Sequence, residues 1–163
     1  MFQLSGRTAL ITGASGGIGS AIAKNLSQQG AHVILHGTRA GRLEELASEI
    51  GTNVSVVTAN LSDREAVGGL VSEAAKATGA IDILVNNAGI TRDNLFMRMK
   101  DEEWDDVLEV NLTSSMLLCR SAIRAMMKAR WGRIISISSI VGVTGNPGQT
   151  NYAASKAGMI GFS

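Results

Sequence analysis

The sequence predicts an α/β fold in which a doubly wound parallel β-sheet carries helices on both faces. Short, almost continuously apolar runs alternate with longer amphipathic runs along the chain. A strand without a polar face is typical of a parallel sheet that is covered on both sides, and the alternation implies right-handed crossovers. A glycine follows three of the amphipathic runs, at positions 30, 51 and 79, where helix C-termini favour a left-handed residue.

The alternation places the elements in order. The strands are expected at residues 8–12, 32–36, 54–58, 81–85 and 133–137. The helices are expected at about residues 17–29, 41–50, 62–78 and 101–129, with a further helix beginning near Tyr152. Ser62 and Asp63 suit the N-cap and first turn of the third helix, because their side-chain oxygens can accept hydrogen bonds from backbone N–H groups there.

Length, charge and composition exclude several classes of function. The 163 residues are enough for one domain with a sizeable core. The formal net charge of +1 does not favour binding to nucleic acid or to a membrane surface. No apolar run has the length of a membrane span, and the N-terminus lacks the layout of a signal peptide. His32, His36 and the single Cys119 lack metal-ligand spacing, so we expect a cytoplasmic protein without a metal.

A glycine-rich segment, residues 12–19 (TGASGGIG), lies between the first strand and the first helix. Gly13 permits a tight turn, Gly17 lets the backbone approach a pyrophosphate, and Gly19 permits close packing of helix on strand. The helix N-terminus adds N–H donors and a positive dipole for phosphate. The glycine spacing is one residue longer than the common fingerprint, and a purely structural turn is the alternative. The segment predicts dinucleotide binding by a Rossmann-type domain.

The end of the second strand indicates which dinucleotide binds. An NAD site usually places an acid about 20 residues after the glycine motif, on the ribose 2′-hydroxyl. Here residues 36–39 read HGTR, and no carboxylate occurs before Glu44. Thr38 and Arg39 suit a 2′-phosphate, because guanidinium can bind phosphate through two hydrogen bonds. NADP(H) is therefore preferred, and a solvated loop role for Arg39 is the alternative.

Asparagines follow the third and fourth strands, at the edge where open α/β sheets bind ligands. Residues 86–89 read NNAG, and their amides could satisfy backbone groups between strands, form part of the cofactor pocket, or do both. Asn60 could line the adenine side of the same pocket. A turn or N-cap role for Asn60 is the alternative.

Tyr152, the only tyrosine in the chain, is followed four residues later by Lys156. In a helix this spacing puts the phenol and the ammonium on one face. A nearby cation lowers the pKa of a phenol from its ordinary value near 10, as a general acid requires. Ser139 lies upstream and could bond a carbonyl oxygen. The three groups predict a site that protonates a carbonyl during its reduction, and an interfacial tyrosine with a solvated lysine is the alternative.

These motifs, together with Asn111, occur in the order and spacing of the short-chain dehydrogenase/reductase family, which the chain resembles over essentially its whole length. Within that family, residues 89–100 and 146–152 resemble the bacterial 3-oxoacyl-[acyl-carrier-protein] reductases. Those enzymes perform the first reduction of each cycle of fatty-acid elongation. The resemblance implies NADPH-dependent reduction of a 3-oxoacyl group to a 3-hydroxyacyl group.

The resemblance also implies roles for four residues. Tyr152 would donate a proton to the 3-oxo oxygen, and Lys156 would lower its pKa and hold the nicotinamide ribose. Ser139, rather than Ser138, would orient the substrate. Asn111 would hold a water in a proton relay to Lys156; taken alone, it could equally be a structural asparagine that disturbs a helix.

The resemblance assigns the cofactor contacts residue by residue. They are Gly13, Ser15, Gly17, Ile18, Gly19, Thr38, Arg39, Asn60, Leu61, Asn87, Ala88, Gly89, Tyr152 and Lys156. Gly16 departs from the pattern, since many NADP-preferring relatives carry arginine or lysine there. That departure leaves Thr38 and Arg39 to support the choice of NADP(H).

Acyl carrier protein is the implied partner, and Arg130 matches a position that contacts the carrier in relatives. Its alternative role is that of a cation near a helix C-terminus. The full-length family is typically a homotetramer. Family members continue beyond the equivalent of Ser163 through further strands, so we expect a domain over residues 1–163 that is incomplete at its C-terminus. An unpaired fifth strand would then be prone to aggregation.

Two other functions fit the same residues. One is reduction of acetoacetyl-CoA or another small ketone by a related enzyme. The other is a non-catalytic nucleotide-binding fragment that retains the site residues without a closed pocket.

Overall fold

A five-stranded parallel sheet organises residues 3–163, the part of the chain that the computed structural model describes. Its strand order is β3-β2-β1-β4-β5, and every pairing is parallel. The strands are β1 (Thr8–Ile11), β2 (His32–Gly37), β3 (Val54–Thr58), β4 (Ile83–Asn86) and β5 (Arg133–Ser136). The predicted doubly wound α/β fold is confirmed, and the strand order reverses between β1 and β4.

The helices connect these strands in the expected alternation. They are α1 (Gly17–Gln28), α2 (Ala40–Ile50), α3 (Arg64–Ala75), α4 (Asp101–Leu108), α5 (Ser114–Ala129), α6 (Val141–Thr144) and α7 (Thr150–Phe162). The sequence pattern did not predict the 3₁₀ turn at Phe96–Arg98 or the short helix α6. Segments of three or four residues are too short to show an apolar periodicity. None of the helices within residues 3–163 is long and apolar enough to cross a membrane.

The single helix expected at residues 101–129 is interrupted. A π turn, Glu109–Thr113, joins α4 to α5. A π turn accommodates one extra residue in a helix, and such turns occur often at functional sites. Apolar periodicity does not register a single extra residue, so the sequence pattern did not reveal this interruption.

Two apolar layers explain why the strands lack a polar face. Leu10, Ile34 and Leu84 belong to the layer that includes α3 and α5. The residues beside them in the same strands, such as Ile11 and Leu35, belong to the layer that includes α1 and α2. Successive residues of a strand point to opposite faces, so a sheet covered on both sides needs apolar residues throughout.

The glycines predicted at the C-terminal ends of three helices and an N-cap at the start of α3 are confirmed. Gly30, Gly51 and Gly79 follow their helices with φ of +92°, +88° and +86°, which L-residues with side chains rarely adopt. Asp63 is the N-cap of α3, and its Oδ1 accepts from Glu65 N–H at 2.9 Å and Ala66 N–H at 3.2 Å. Ser62, predicted with it, lies outside the helix.

Strand β5 lies at an edge of the described sheet, where it pairs with β4. Ile134 and Ile135 are 38% and 44% exposed. An exposed apolar edge can pair with another chain, so the expected tendency to aggregate stays a prediction.

Replacing Asp63 tests the cap. Asp63→Ala removes both N–H acceptors, and we expect it to lower the free energy of unfolding by about 1 kcal/mol. Asp63→Asn keeps a cap oxygen and should retain most of this stability. Urea denaturation followed by circular dichroism measures both variants, and equal stability of Asp63→Ala and the parent would contradict the assignment.

Candidate active site

A cleft of about 590 Å³ opens at the carboxyl ends of the strands, beside the reversal of strand order between β1 and β4. Ligands of open α/β sheets bind in this place. Twelve of the predicted cofactor residues line the cleft, namely Gly13, Ser15, Gly17, Ile18, Gly19, Thr38, Arg39, Asn60, Leu61, Asn87, Ala88 and Gly89. The other two, Tyr152 and Lys156, lie on α7.

The glycine-rich loop has the geometry of a phosphate cradle. Gly13 has φ +64°, and a Cβ at Gly19 would collide with the Gly13 carbonyl oxygen and lie 2.7 Å from Asn87 Nδ2. A Cβ at Gly17 would meet no protein atom within 4 Å, so this glycine faces open space. Gly16 is the N-cap of α1 and has no side chain to cap the first N–H groups. These donors are therefore left for an anionic ligand.

Thr12 and Asn87 join the loops that follow β1 and β4. The Thr12 hydroxyl donates to the Val85 carbonyl at 3.1 Å and accepts from Asn87 N–H and Ala88 N–H, both at 3.0 Å. Asn87 Nδ2 donates to the carbonyl oxygens of Thr12 at 2.8 Å and Gly13 at 3.2 Å. Both alternatives for this asparagine therefore hold, since it bonds backbone groups and lines the cleft.

Asn86 has a different place from its neighbour. It is 2% exposed, its Nδ2 lies 3.3 Å from Cys119 Sγ, and its Oδ1 has no hydrogen-bond partner among the described residues. Asn60, the other asparagine, lines the cleft, and its Oδ1 accepts from Ser62 N–H at 3.0 Å. The turn role and the cleft position thus occur together in Asn60.

Arg39 brings a positive charge to the cleft. Its Nη2 donates to the Ser15 carbonyl oxygen at 3.1 Å and to Ser15 Oγ at 3.2 Å. The guanidinium therefore lies against the glycine-rich loop, although its side chain is exposed. Thr38 is exposed beside it. A guanidinium group at this end of the cleft is suited to bind a phosphate group through two hydrogen bonds.

His36 is a cleft residue that the sequence pattern did not identify. It is 1% exposed, and its Nε2 lies 3.2 Å from the Ala59 carbonyl oxygen. A carbonyl can only accept, so Nε2 carries the proton; Nδ1 is buried without a partner. Burial lowers the pKa of His36 to about 4, which keeps the ring neutral. The only sequence signal for a buried histidine in the cleft is its position near the end of an apolar strand.

Tyr152 and Lys156 are brought together on α7. The Lys156 Nζ lies 5.7 Å from the centre of the Tyr152 ring and donates to the Ile137 carbonyl oxygen at 2.7 Å. The lysine is 4% exposed, and burial lowers its pKa. A Cβ built on Gly89 would lie 3.7 Å from this Nζ, so the ammonium adjoins the Gly89 end of the cleft.

The two neighbouring serines after β5 have different partners. Ser138 Oγ donates to the Lys156 carbonyl oxygen at 3.0 Å and so holds α7. Ser139 Oγ accepts from Val141 N–H at 3.2 Å, which leaves the hydroxyl hydrogen of this half-buried residue for another acceptor. The role of Ser139 as the substrate-orienting serine stays a prediction.

Gly142 is a second residue that sequence reasoning missed. A Cβ there would lie 2.7 Å from the Lys156 carbonyl carbon and 2.8 Å from Ala157 N. Only a glycine lets α6 approach α7 this closely, and the approach brings the segment of Ser139 beside the helix of Tyr152. A glycine in a four-residue helix gives no periodic signal.

Asn111 is buried in the π turn and bonds neighbours on two sides. Its Oδ1 accepts from Ile90 N–H at 2.8 Å, and its Nδ2 donates to the Ile90 carbonyl oxygen at 3.0 Å and to Ser155 Oγ at 3.1 Å. The structural role is therefore present. The relay water implied for Asn111 stays a prediction.

Arg130 lies away from the cleft lining. It is the exposed C-cap of α5 in the left-handed conformation, with φ +53°. Within residues 3–163, no group of three or more His, Cys, Asp and Glu side chains could hold a metal ion.

Comparison with known proteins identifies a family that this chain matches over most of its length. Residues 7–163 match the family model described as short chain dehydrogenase. The chain is 62% identical over 163 residues to Nodulation protein G of Rhizobium sp. (strain N33). It is 51% identical over 161 residues to 3-oxoacyl-[acyl-carrier-protein] reductase FabG of Escherichia coli (strain K12). These alignments cover 100% and 99% of this chain, which spans 66% of the length of either relative.

The neutral state of His36 predicts a loss of stability in acid. The folded-state pKa of about 4 lies below the ordinary value of 6.5, so the unfolded chain binds this proton first as the pH falls. The contribution of neutral His36 to the free energy of unfolding is complete above about pH 6.5 and decreases toward pH 4. At about pH 5 we expect the free energy of unfolding to be lower by about 2 kcal/mol than at neutral pH. This decrease should be absent in His36→Gln.

Unfolding in urea at several pH values measures this effect. His32→Gln is the matched control, because His32 lies on the same strand, is half-buried and has its pKa lowered only by burial. An unchanged pH dependence in His36→Gln would contradict a buried neutral histidine.

Proposed function

The chain belongs to the short-chain dehydrogenase family of oxidoreductases, and we propose that it contributes the cofactor site and proton donor for NADPH-dependent reduction of 3-oxoacyl-[acyl-carrier-protein]. The observation that carries the proposal is the Tyr152–Lys156 pair at the Gly89 end of the cleft. A phenol beside a buried ammonium can give a proton to a substrate that reaches this end.

Several features of the cleft support the proposal that a nicotinamide dinucleotide phosphate binds there. Gly16 leaves the first N–H groups of α1 uncapped, and Gly17 leaves open space above them for a pyrophosphate. Thr38 and Arg39 would hold the 2′-phosphate, and residues 60–61 would lie along the adenine side. When bound, the reduced cofactor supplies the hydride.

The proposed acid step uses three side chains. Tyr152 donates its phenolic proton to the carbonyl oxygen of the substrate. The Lys156 cation stabilises the phenolate that remains, because an opposite charge favours the charged form. Ser139 already accepts a hydrogen bond from Val141 N–H, so its own hydrogen is available to donate to the same carbonyl oxygen. General acid catalysis of this kind is worth about 10²–10⁴ in rate.

The substrate class rests on similarity. Relatives that are 51–52% identical to this chain are named 3-oxoacyl-[acyl-carrier-protein] reductase, and the exposed Arg130 is available to an acidic carrier protein. The two proteins named Nodulation protein G are more similar to this chain, at 62% and 56% identity. Reduction of acetoacetyl-CoA or a small ketone is the second candidate, and nucleotide binding without catalysis is the third.

Turnover assays with several substrates separate these candidates. We expect NADPH consumption by this chain to have a higher kcat/KM for 3-oxoacyl groups on acyl carrier protein than for acetoacetyl-CoA or a free ketone. Tyr152→Phe should lower kcat by at least about 10²-fold, since it removes the acid, while NADPH binding measured by fluorescence persists.

Each alternative has its own outcome in these assays. Equal kcat/KM for carrier-linked and CoA-linked substrates would contradict the carrier assignment. A chain that binds NADPH without any turnover would be the non-catalytic fragment. Turnover retained in Tyr152→Phe would exclude Tyr152 as the acid.

Arg39→Ala tests the choice of cofactor. Loss of charged hydrogen bonds to a 2′-phosphate should weaken NADPH binding by about ten- to a hundredfold and leave NADH binding almost unchanged. Arg42→Ala is the matched control, because Arg42 is also exposed but forms an ion pair with Glu45 at 2.9 Å. Equal weakening of both cofactors by Arg39→Ala would contradict a 2′-phosphate contact.

A further inference from the structure

The buried hydroxyl of Ser155 connects α7 to the π turn, and the proposed reaction gives it no role. From its contacts we infer that Ser155 is a positioning residue, which holds Tyr152 and Lys156 in register by linking α7 to Asn111. The inference rests on the proposed function, because it concerns the same acid pair. It assigns to Ser155 a role that neither the glycine motif nor the Tyr-x-x-x-Lys spacing indicates.

The backbone of Ile90 determines the orientation of the Asn111 amide. Asn111 Oδ1 accepts from Ile90 N–H at 2.8 Å, and Nδ2 donates to the Ile90 carbonyl oxygen at 3.0 Å. A flipped amide would set oxygen against oxygen and N–H against N–H. The second hydrogen on Nδ2 therefore points to Ser155 Oγ, 3.1 Å away.

The direction of this bond determines the next one. Ser155 Oγ accepts from Asn111, so its own hydrogen is donated to the Tyr152 carbonyl oxygen at 2.8 Å. Ser155 and Asn111 are both 0% exposed. One continuous chain of hydrogen bonds thus runs from Ile90 through two buried side chains to the backbone of the proposed acid.

The chain of bonds lies at the level of the acid pair. Asn151 anchors the beginning of α7 through the carbonyl oxygens of Arg92 and Glu103, both at 2.9 Å. Ser155 makes its contact one residue before Lys156, whose Nζ lies 5.7 Å from the Tyr152 ring centre. A displacement of α7 at this level changes that separation directly.

Removing the hydroxyl disturbs more than one bond. Ser155→Ala leaves a hydrogen of Asn111 Nδ2 without an acceptor in the interior, and an unpaired buried donor is unfavourable. Movement of α7 or entry of water would satisfy this donor. Either change loosens the position of Lys156 beside the phenol.

Tyr152 is the only tyrosine in the chain, so the ring signals of protein labelled with isotopic tyrosine report on this residue alone in an NMR spectrum. The Lys156 ammonium lies 5.7 Å from the ring centre, and its charge contributes to the chemical shift of these signals. Lys156→Met removes the charge and measures the full effect. We expect Ser155→Ala to move the ring signals in the same direction, by a smaller amount.

Two further variants separate positioning from a general loss of stability. Ser114→Ala removes a similarly buried hydroxyl, which donates at 2.7 Å to the Val110 carbonyl oxygen in its own helical segment. This variant should leave the Tyr152 ring signals unchanged. Ser155→Thr keeps the hydroxyl and should restore the parent ring signals. Should Ser155→Ala fail to fold, Ser155→Cys decides by the same criterion, since a thiol has similar size but accepts hydrogen bonds weakly.

The result that overturns the inference is a folded Ser155→Ala whose Tyr152 ring signals match those of the parent, or an equal change of these signals in Ser155→Ala and Ser114→Ala. The spectra require neither cofactor nor substrate. A chain without reductase activity would therefore refute the proposed function, whereas only the Tyr152 ring signals decide the role of Ser155.

Discussion

The hydrogen bonds between Thr12 and Asn87 hold together the loops after β1 and β4, and the site is built around them. These loops leave the sheet where the strand order reverses, so no ladder continues between them. The Thr12 hydroxyl uses its donor and two acceptor positions, and Asn87 returns two bonds to the glycine-rich loop. Gly19 can pack beneath this junction only because it lacks a Cβ. The cleft and its Gly89 end, which the Tyr152–Lys156 pair adjoins, are thereby attached to one sheet edge.

Charge is distributed along the cleft according to burial. Arg39 is exposed and can exchange its bonds to Ser15 for bonds to a ligand phosphate. His36 lies beneath the same end but stays neutral, because burial lowers its pKa to about 4. Lys156 is buried at the other end, and its bond to Ile137 directs the ammonium. The ammonium beside the Tyr152 ring therefore lies where water screens its charge least.

Helix α7 depends on contacts from three directions. Gly142 admits α6 against its backbone, and Ser138 bonds the Lys156 carbonyl. Ser155 joins it to Asn111 in the π turn. The bonds of Ser138 and Ser155 are directional, so they specify one position of the helix where apolar packing alone would tolerate small shifts. The register of Tyr152 and Lys156 is a result of this arrangement.

The sequence by itself determined the parallel α/β fold and the left-handed glycine after α1, because these depend on local periodicity and φ preference. Glycine spacing indicated Gly13, Gly17 and Gly19 in the cleft, and the family resemblance supplied further lining residues such as Ser15 and Leu61. Helical spacing placed Tyr152 and Lys156 on one face of a helix. Only the tertiary structure decided the π turn, the neutral His36, and the bonds of Asn111 and Ser155. These features arise where segments that are distant in the chain come into contact. A local sequence pattern cannot predict which buried donor will bond to which acceptor across such a contact.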